Sequence, residues 1–315
     1  MNITFRQLRL FLALADTGSV SAAARAMNVT QPTASMQLKE VAQSVGLPLY
    51  ELIGKKIHLT DVGKELAATA RAISLSWDEF EQQMHEVKGV ARGKLRIAVV
   101  STAQYFMPKL IGSFCKKFPA IEVALEILNR DGVVQRLKER RDDLYIMSMP
   151  PVDMKLHAEV LMPNPIVVIA PLGSLLARRG ALDLKELEDQ PFILRESGSG
   201  TRMAVDHYFK QLRFKPDLRL ELGSNEAVKE AVAGGLGVGV LSRHALHGLE
   251  KENGVRVIPV QGFPLPSAWH VVHHAGQRLA PVAKAFKAHL HTAIGVRPAR
   301  EMPEKNQTKT KSKSI

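Results

Sequence analysis

The sequence predicts a chain in three parts: an all-α unit that ends in a β-hairpin, one long helix, and an α/β region built on two sheets. Three observations predict it. Helix-start and helix-stop residues punctuate residues 1–60, an apolar heptad stripe follows them, and from Lys94 onward strand-like and helix-like segments alternate.

In the first part, Phe5, Leu8, Phe11, Leu12 and Ala15 recur at helical spacing, and Gly18 ends that helix. Ser19 or Ser21 can cap a short alanine-rich helix running to Met27, and Asn28-Val29-Thr30 reads as a tight turn. Thr30 can cap a third helix with Pro32 in its first turn, where a missing N–H costs nothing; that helix runs to about Val45 and stops at Gly46. Leu49–Ile53 and Lys56–Leu59, joined through Gly54-Lys55, read as two strands around a glycine-containing turn.

Thr60 then caps a helix predicted over about 61–90. Its apolar residues Leu66, Ala70, Ile73, Trp77, Phe80, Met84 and Val87 step alternately by four and three, the seam of a two-stranded coiled coil. A single amphipathic helix lying on its own core is the alternative. So narrow a seam on so long a helix favours pairing with a second copy of the chain.

Ala91-Arg92-Gly93 reads as a hinge into the α/β region, predicted over 91–296. Strands are predicted at Leu95–Val100, Val123–Leu128, Leu144–Met147, Ile166–Ala170, Phe192–Leu194, Leu218–Leu222, Val238–Leu241 and Trp269–His274. Helices are predicted at Gln104–Phe118, Val133–Arg140 and Ala280–His291, with others between the later strands. Such alternation implies parallel sheets with right-handed crossovers. One unit would hold about 91–164 and 267–296, the other about 165–266, with a cleft between them. Residues 297–315 have no apolar periodicity and are expected to be a disordered basic tail.

Composition narrows the classes. Cys115 is the only cysteine, so an internal disulfide and a cysteine-based zinc finger are excluded. Apolar runs such as Ile166–Ala170 are far too short to span a bilayer, and Met1–Arg6 does not read as a secretory signal, so a cytoplasmic location without membrane contact is expected. The net charge is +12, with surpluses of three in residues 1–60 and four in 297–315. A basic excess suits nucleic acid through counterion release, and suits a merely solubilising surface equally well. Charge alone does not decide.

The segment Ala22–Leu38 decides more. Small alanines let two helices cross closely, while the second helix exposes Gln31, Thr33, Ser35 and Gln37, short donors and acceptors suited to base edges, and Lys39, suited to phosphate. Arg25, Thr30 and Pro32 complete that candidate double-stranded DNA surface, with Lys55 and Lys56 at the hairpin tip for backbone contacts.

A second constellation lies in the α/β region. Ser101-Thr102 follows a strand and opens a helix; Ser197-Gly198-Ser199-Gly200-Thr201-Arg202 does the same from the second sheet; Ser224-Asn225 is a third polar helix start. Helix N-termini favour phosphate or carboxylate, and ligands of open α/β sheets sit beyond the strands' carboxyl ends. Plain capping needs only one hydroxyl per helix, so the combined set favours a small anionic ligand. Arg195, Arg130 and Ser148 are further candidates.

Other motifs fail. Gly235-Leu236-Gly237-Val238-Gly239 follows a helix and leads into a strand, the reverse of a dinucleotide loop. Ser197–Thr201 is no hydrolase elbow. Of His270, His273 and His274, only the first and last share a strand face, and Cys115 reads as a small core residue. No nucleophile–base pair, paired carboxylates, metal cluster or cofactor loop is found, so neither catalysis nor a resident cofactor is expected.

Phe5-Arg6-Gln7-Leu8, Ala22-Ala23, Thr30-Gln31-Pro32, Ser35, Gly46-Leu47-Pro48-Leu49-Tyr50, Leu59-Thr60 and Gly63 together resemble the N-terminal signature of the LysR-type transcriptional regulators. The resemblance extends to about Ile294. It implies a winged helix-turn-helix, a linker-helix dimer interface and a periplasmic-binding-protein-like effector domain of two subdomains, assembled as a homodimer or homotetramer. Val41–Val45 departs from the more acidic, leucine-led helix end usual there.

Ser101–Phe106, Asn164–Pro171, Arg195–Arg202, Ser224–Lys229 and Gly262-Phe263-Pro264 resemble the Calvin-cycle branch, which controls RuBisCO and carbon-fixation operons. Ser197 stands where proline is common, and Ser267-Ala268 where a basic residue is frequent. That branch implies a regulator responding to a phosphorylated metabolite, a transcriptional activator or a repressor, with RNA polymerase as a further candidate partner. A regulator of another operon, sensing an aromatic or sulfur-containing acid, is the alternative.

Overall fold

A computed structural model describes residues 2–54, 56–87, 92–246 and 254–295. Lys55 and the tail expected from residue 297 lie outside the described residues, as does the Val87 side chain.

Helices α1 (Phe5–Thr17), α2 (Val20–Ala26) and α3 (Gln31–Val45) precede a hairpin of β1 (Tyr50–Ile53) and β2 (Lys56–Leu59). Each helix begins on a hydroxyl: Thr4 forms a capping box with Gln7, Ser19 rather than Ser21 caps α2, and Thr30 caps α3. Gly18 and Gly46 end α1 and α3 in the left-handed conformation, at φ 62° and 78°. Leu10, Phe11, Leu14, Ala23, Ala34 and Leu38 form one buried core, and Ala23 and Ala34 supply the small contacts that a close helix crossing needs.

Helix α4 (Asp61–Val87) is capped by Thr60, whose Oγ1 accepts from Gly63 N–H at 3.0 Å. A Cβ on Gly63 would lie 1.9 Å from the Leu49 carbonyl oxygen, so a glycine is required where α4 leaves the hairpin.

The chain then builds β3 (Gly93–Val100), α5 (Met107–Lys117), β4 (Ile121–Leu128), α6 (Arg130–Lys138), β5 (Leu144–Met147) and β6 (Leu156–Pro163). It crosses into a second unit of β7 (Ile166–Pro171), β8 (Pro191–Arg195), α7 (Gly200–Gln211), β9 (Asp217–Leu222), α8 (Asn225–Ala233), β10 (Val238–Ser242) and β11 (Val255–Ile258). It returns through β12 (Ala268–His274) and α9 (Pro281–Ile294). The sheet of subdomain I has the order β4-β3-β5-β12-β6, and that of subdomain II the order β11-β7-β10-β8-β9.

Two expectations are corrected here. The sheets are mixed: β12 runs antiparallel to β5 and β6, and β7 antiparallel to β10 and β11. The double crossing is the reason. β7 and β12 start from the crossovers and run away from the cleft, against strands whose carboxyl ends face it. The helix expected from Gln104 is also interrupted: Ser101–Tyr105 is a 3-10 turn, and α5 begins at Met107 with Pro108 in its first turn. Pro108 has no N–H to donate to the Gln104 carbonyl and its ring would crowd that carbonyl, so a helix from Gln104 cannot run through it, whereas the first turn of a new helix accepts it. Strands β6 and β11 were not among the predicted elements.

Each subdomain has its own core. Leu95, Ile97, Phe114, Ile146, Trp269 and Phe286 are buried in the first; Val168, Phe192, Val205, Phe209 and Val240 in the second.

Candidate functional site

On the helical unit, α3 presents Gln31, Pro32, Ser35 and Lys39 to solvent, with Thr33 and Gln37 half-buried behind them. Arg25, Thr30 and Lys56 are exposed on the same unit. Gln31 Oε1 accepts from Ser21 Oγ at 3.0 Å, and Thr30 Oγ1 lies 2.8 Å from Thr33 Oγ1. Met36, 56% exposed between Ser35 and Gln37, was not among the predicted contacts. Its spacing from Pro32 and Lys39 puts it on the same face, where an apolar side chain suits a thymine methyl.

The stripe on α4 divides. Ala70 is buried, and Leu66 packs against the core of the helical unit, so the first turns serve the chain itself. Ile73, Trp77, Phe80 and Met84 are all at least 40% exposed. The Trp77 ring lies 5.7 Å from Phe5 and 5.8 Å from Phe80, and its Nε1 donates to Glu81 at 2.8 Å.

Between the subdomains the strand ends converge on a nearly closed cavity of about 10 Å³, room for a single water. Ser101 and Thr102 come from the end of β3, Asn129 and Arg130 from the start of α6, Ser148 from the end of β5, and Ser199, Gly200 and Thr201 from the start of α7. Thr102, Ser148, Ser199 and Thr201 are buried. Thr102 Oγ1 accepts from Trp269 Nε1 at 3.0 Å. Ser148 Oγ accepts from Asn164 Nδ2 at 3.4 Å, and Asn164 Oδ1 in turn accepts from Ser242 Oγ at 2.6 Å, so the crossover residue ties both subdomains together. Ser199 has no side-chain cap hydrogen bond, which leaves its hydroxyl and the first N–H groups of α7 facing the cavity.

Arg195 stands behind this surface. Only 1% exposed, it donates to Asn225 Oδ1 at 3.0 Å, Ser101 Oγ at 3.2 Å and Glu196 at 2.8 Å. The Asn225 amide nitrogen is buried beside the Tyr105 hydroxyl. Ser224 caps α8 through Ala227 N–H at 3.1 Å. A second clasp joins the subdomains where Tyr105 Oη donates to Glu226; burial, then that hydrogen bond, pushes the Tyr105 hydroxyl up to about 12.

Not every predicted residue faces the cavity. Arg202 donates to Asp206 at 2.9 Å, to Glu221 at 2.7 Å and to the Arg195 carbonyl at 2.8 Å. Its Nε and Nη1 donors are therefore engaged within its own subdomain. Ser197 is exposed, and Gly198 closes on the first turn of α6. The cation in the cavity wall is Arg130, which donates to the Met149 carbonyl at 3.0 and 2.9 Å. Asn129, the α6 cap, was not predicted to contribute; its signal is the same strand–polar residue–helix pattern as at Ser224. A larger open hollow on subdomain II, walled by Tyr208, Leu212 and Phe214, mixes Lys185 and Arg213 with Asp183 and Glu188 and lacks converging hydroxyls. Among the described residues no group of three or more His, Cys, Asp or Glu is arranged to hold a metal, and no helix is long and apolar enough to cross a membrane.

The architecture has known counterparts. Residues 5–64 match the model of the bacterial regulatory helix-turn-helix protein, lysR family, and residues 88–295 match the LysR substrate binding domain. This chain belongs to the LysR family of transcriptional regulators. As a member it is a DNA-binding regulator and not an enzyme. It is 39% identical over 290 residues to the HTH-type transcriptional activator CmpR of Synechocystis sp., covering 92% of this chain and 95% of that protein. It is 40% identical over 290 residues to a RuBisCO operon transcriptional regulator of Acidithiobacillus ferrooxidans, covering 92% and 94%. The regulatory domain of Synechocystis CcmR, solved in complex with 2-PG, superposes with TM-score 0.63 at 40% identity, covering 66% of this chain and all of that domain. A full-length OxyR variant from Pseudomonas aeruginosa shares the fold at TM-score 0.75 and 22% identity, covering 93% and 95%.

Proposed function

We propose that this LysR-family member controls carbon-fixation genes in response to a small phosphorylated acid bound between its two subdomains. The observation that carries the reading is the convergence of Ser101, Thr102, Ser148, Ser199 and Thr201 with Arg130 at the start of α7. Fixed hydroxyls, helix N–H groups and one guanidinium suit a compact dianion, whereas an aromatic acid would need apolar walls. The 40% identity to a regulatory domain solved with 2-PG supports the ligand class, and two relatives named as RuBisCO operon transcriptional regulators support the operon class.

In this reading α3 enters the major groove, with Gln31, Ser35 and Met36 at base edges and Arg25, Lys39, Lys55 and Lys56 on phosphates. Two chains pair along the exposed α4 stripe, and dimers associate as a tetramer on paired half-sites in the cytoplasm. Ligand enters by opening this nearly closed cleft, which changes the angle between the subdomains, alters half-site geometry and thereby recruits RNA polymerase.

A melting-temperature panel of sugar bisphosphates, 2-PG, phosphoenolpyruvate, NADPH, dicarboxylates and aromatic acids tests this. Phosphorylated compounds should raise the melting temperature saturably. A rise confined to aromatic or sulfur-containing acids would transfer the regulator to another operon.

A further inference from the structure

Helix α6 and the turn that follows it reach from the ligand cleft to the DNA-reading unit. At its start, Asn129 Oδ1 caps the helix by accepting from Gly132 N–H at 2.9 Å, and Arg130 lines the cavity. Asp131 N–H crosses the cleft to donate to the Gly198 carbonyl at 3.2 Å. The approach is so close that a Cβ on Gly198 would lie 2.9 Å from Asp131 Oδ2. Any change in the angle between the subdomains therefore presses on the first turn of α6.

The helix is short and stiff. Its 9 residues span about 13 Å at the usual rise, and Val133 and Leu137 are fully buried in the subdomain I core. The turn that follows is locked to it. Arg136 holds Asp142 through two hydrogen bonds of 2.8 and 2.7 Å, Asp142 N–H donates to Tyr145 Oη at 2.9 Å, and Arg141 N–H donates back to the Arg136 carbonyl at 3.0 Å.

From that turn the Arg141 guanidinium, held through Nε by Glu139, reaches with Nη2 to an ion-pair distance of 3.6 Å from Asp16, near the end of α1. The same carboxylate is gripped by Arg71 of α4 at 3.2 and 2.5 Å. Asp16 is thus the point where the DNA-reading unit meets both the long helix and subdomain I.

We infer that α6 with its following turn is the lever that carries the state of the cleft to the DNA-reading unit, and that Arg141 is the positioning residue acting on Asp16. The inference rests on the ligand reading of the cleft. Because α1 shares a core with α3, a displacement of Asp16 tilts the recognition helix. A partly exposed ion pair transmits modest energies, so the lever grades the response rather than switching it outright.

The test uses the full chain, 2-PG as the ligand, and a DNA duplex selected in vitro by this protein. DNA affinity is read by fluorescence anisotropy with and without 2-PG, and ligand binding by the rise in melting temperature. Arg141→Gln should keep the melting rise and the ligand-free DNA affinity, while the 2-PG-induced change in DNA affinity shrinks about two- to fivefold. Arg141→Lys should restore it, and Asp16→Asn should reproduce the loss. Reciprocity requires that DNA's effect on 2-PG affinity shrink by the same factor. Undiminished coupling in Arg141→Gln would overturn the lever while leaving the cleft reading intact. A parent protein whose melting ignores 2-PG and every other phosphorylated acid would overturn the cleft reading, and the lever with it.

Discussion

Arg195 reaches from subdomain II to donate a hydrogen bond to Ser101 Oγ of subdomain I, 3.2 Å away. A guanidinium this deeply buried is held only because Glu196, Asn225 and the Gly223 carbonyl accept its remaining N–H groups. It fixes the hydroxyl of the cleft without lining the cavity itself. Arg195→Met should cost about 3 kcal/mol of stability by leaving buried acceptors unpaired. It should also weaken binding of a phosphorylated acid at least tenfold. Thermal melts with and without ligand read both effects, and an unaltered ligand shift would remove Arg195 from the account.

Arg202 behaves differently although it is two residues beyond Gly200. Its partners Asp206 and Glu221 are 52% and 42% exposed, so solvent screens the pairs. Arg202→Ala should cost about 1 kcal/mol or less and leave ligand affinity within about threefold, the range of a neighbouring ion pair rather than a direct contact. A calorimetric titration showing a loss as large as that of Arg195→Met would place Arg202 among the ligand contacts.

The contrast between the two arginines marks how far the sequence could be read. The helical unit was largely legible because its signals are local: Ser19 or Ser21 and then Thr30 start helices, and Gly18 and Gly46 stop them, while the Thr4 cap of α1 went unread. The cleft hydroxyls were legible because they follow strands and open helices. Which arginine is buried behind the cleft was not, since Arg195 and Arg202 differ only in the tertiary partners that claim them. β6 escaped notice because Leu156–Pro163 is mostly half-buried or exposed and mixes charge with apolar residues, and β11 because four residues carry little pattern. Antiparallel pairing of β7 and β12 depends on the chain crossing between subdomains twice, a non-local event that strand–helix alternation does not encode.

The α4 stripe makes a separate prediction. Trp77 and Phe80, each 49% exposed, offer apolar surface where the seam no longer rests on the chain's own core. The double variant Trp77→Ala, Phe80→Ala should weaken self-association about a hundredfold, equivalent to roughly 3 kcal/mol. Ala70→Ser, on the buried part of the stripe, should instead lower the melting temperature. Light scattering across a dilution series reads the first, and an unchanged mass would remove α4 from the interface.

A buried carboxyl predicts a pH effect on stability. Asp143 accepts from Arg96 N–H at 2.7 Å, and burial raises its pKa to about 6. A carboxyl with a raised folded value stabilises the fold fully below the unfolded value near 4, and that contribution is lost as pH rises through about 6. Asp143→Asn keeps the acceptor and removes the charge, so it should stabilise the protein by about 1–3 kcal/mol at pH 7.5 and by much less at pH 4.5. Burial lowers the pKa of His273 and His274, which act in the opposite sense as pH falls, but their contribution cancels between parent and variant. Equal destabilisation of Asp143→Asn at both pH values would contradict the assignment.

The most direct measurement is a calorimetric titration of 2-PG into the full chain and into the double variant Ser148→Ala, Thr201→Val. The account predicts saturable binding to the parent and at least tenfold weaker binding to the variant, whose fold should survive because the removed hydroxyls are replaced by groups of similar size or smaller. Benzoate binding to a parent that takes up no 2-PG, or a variant that binds 2-PG as tightly as the parent, would contradict it.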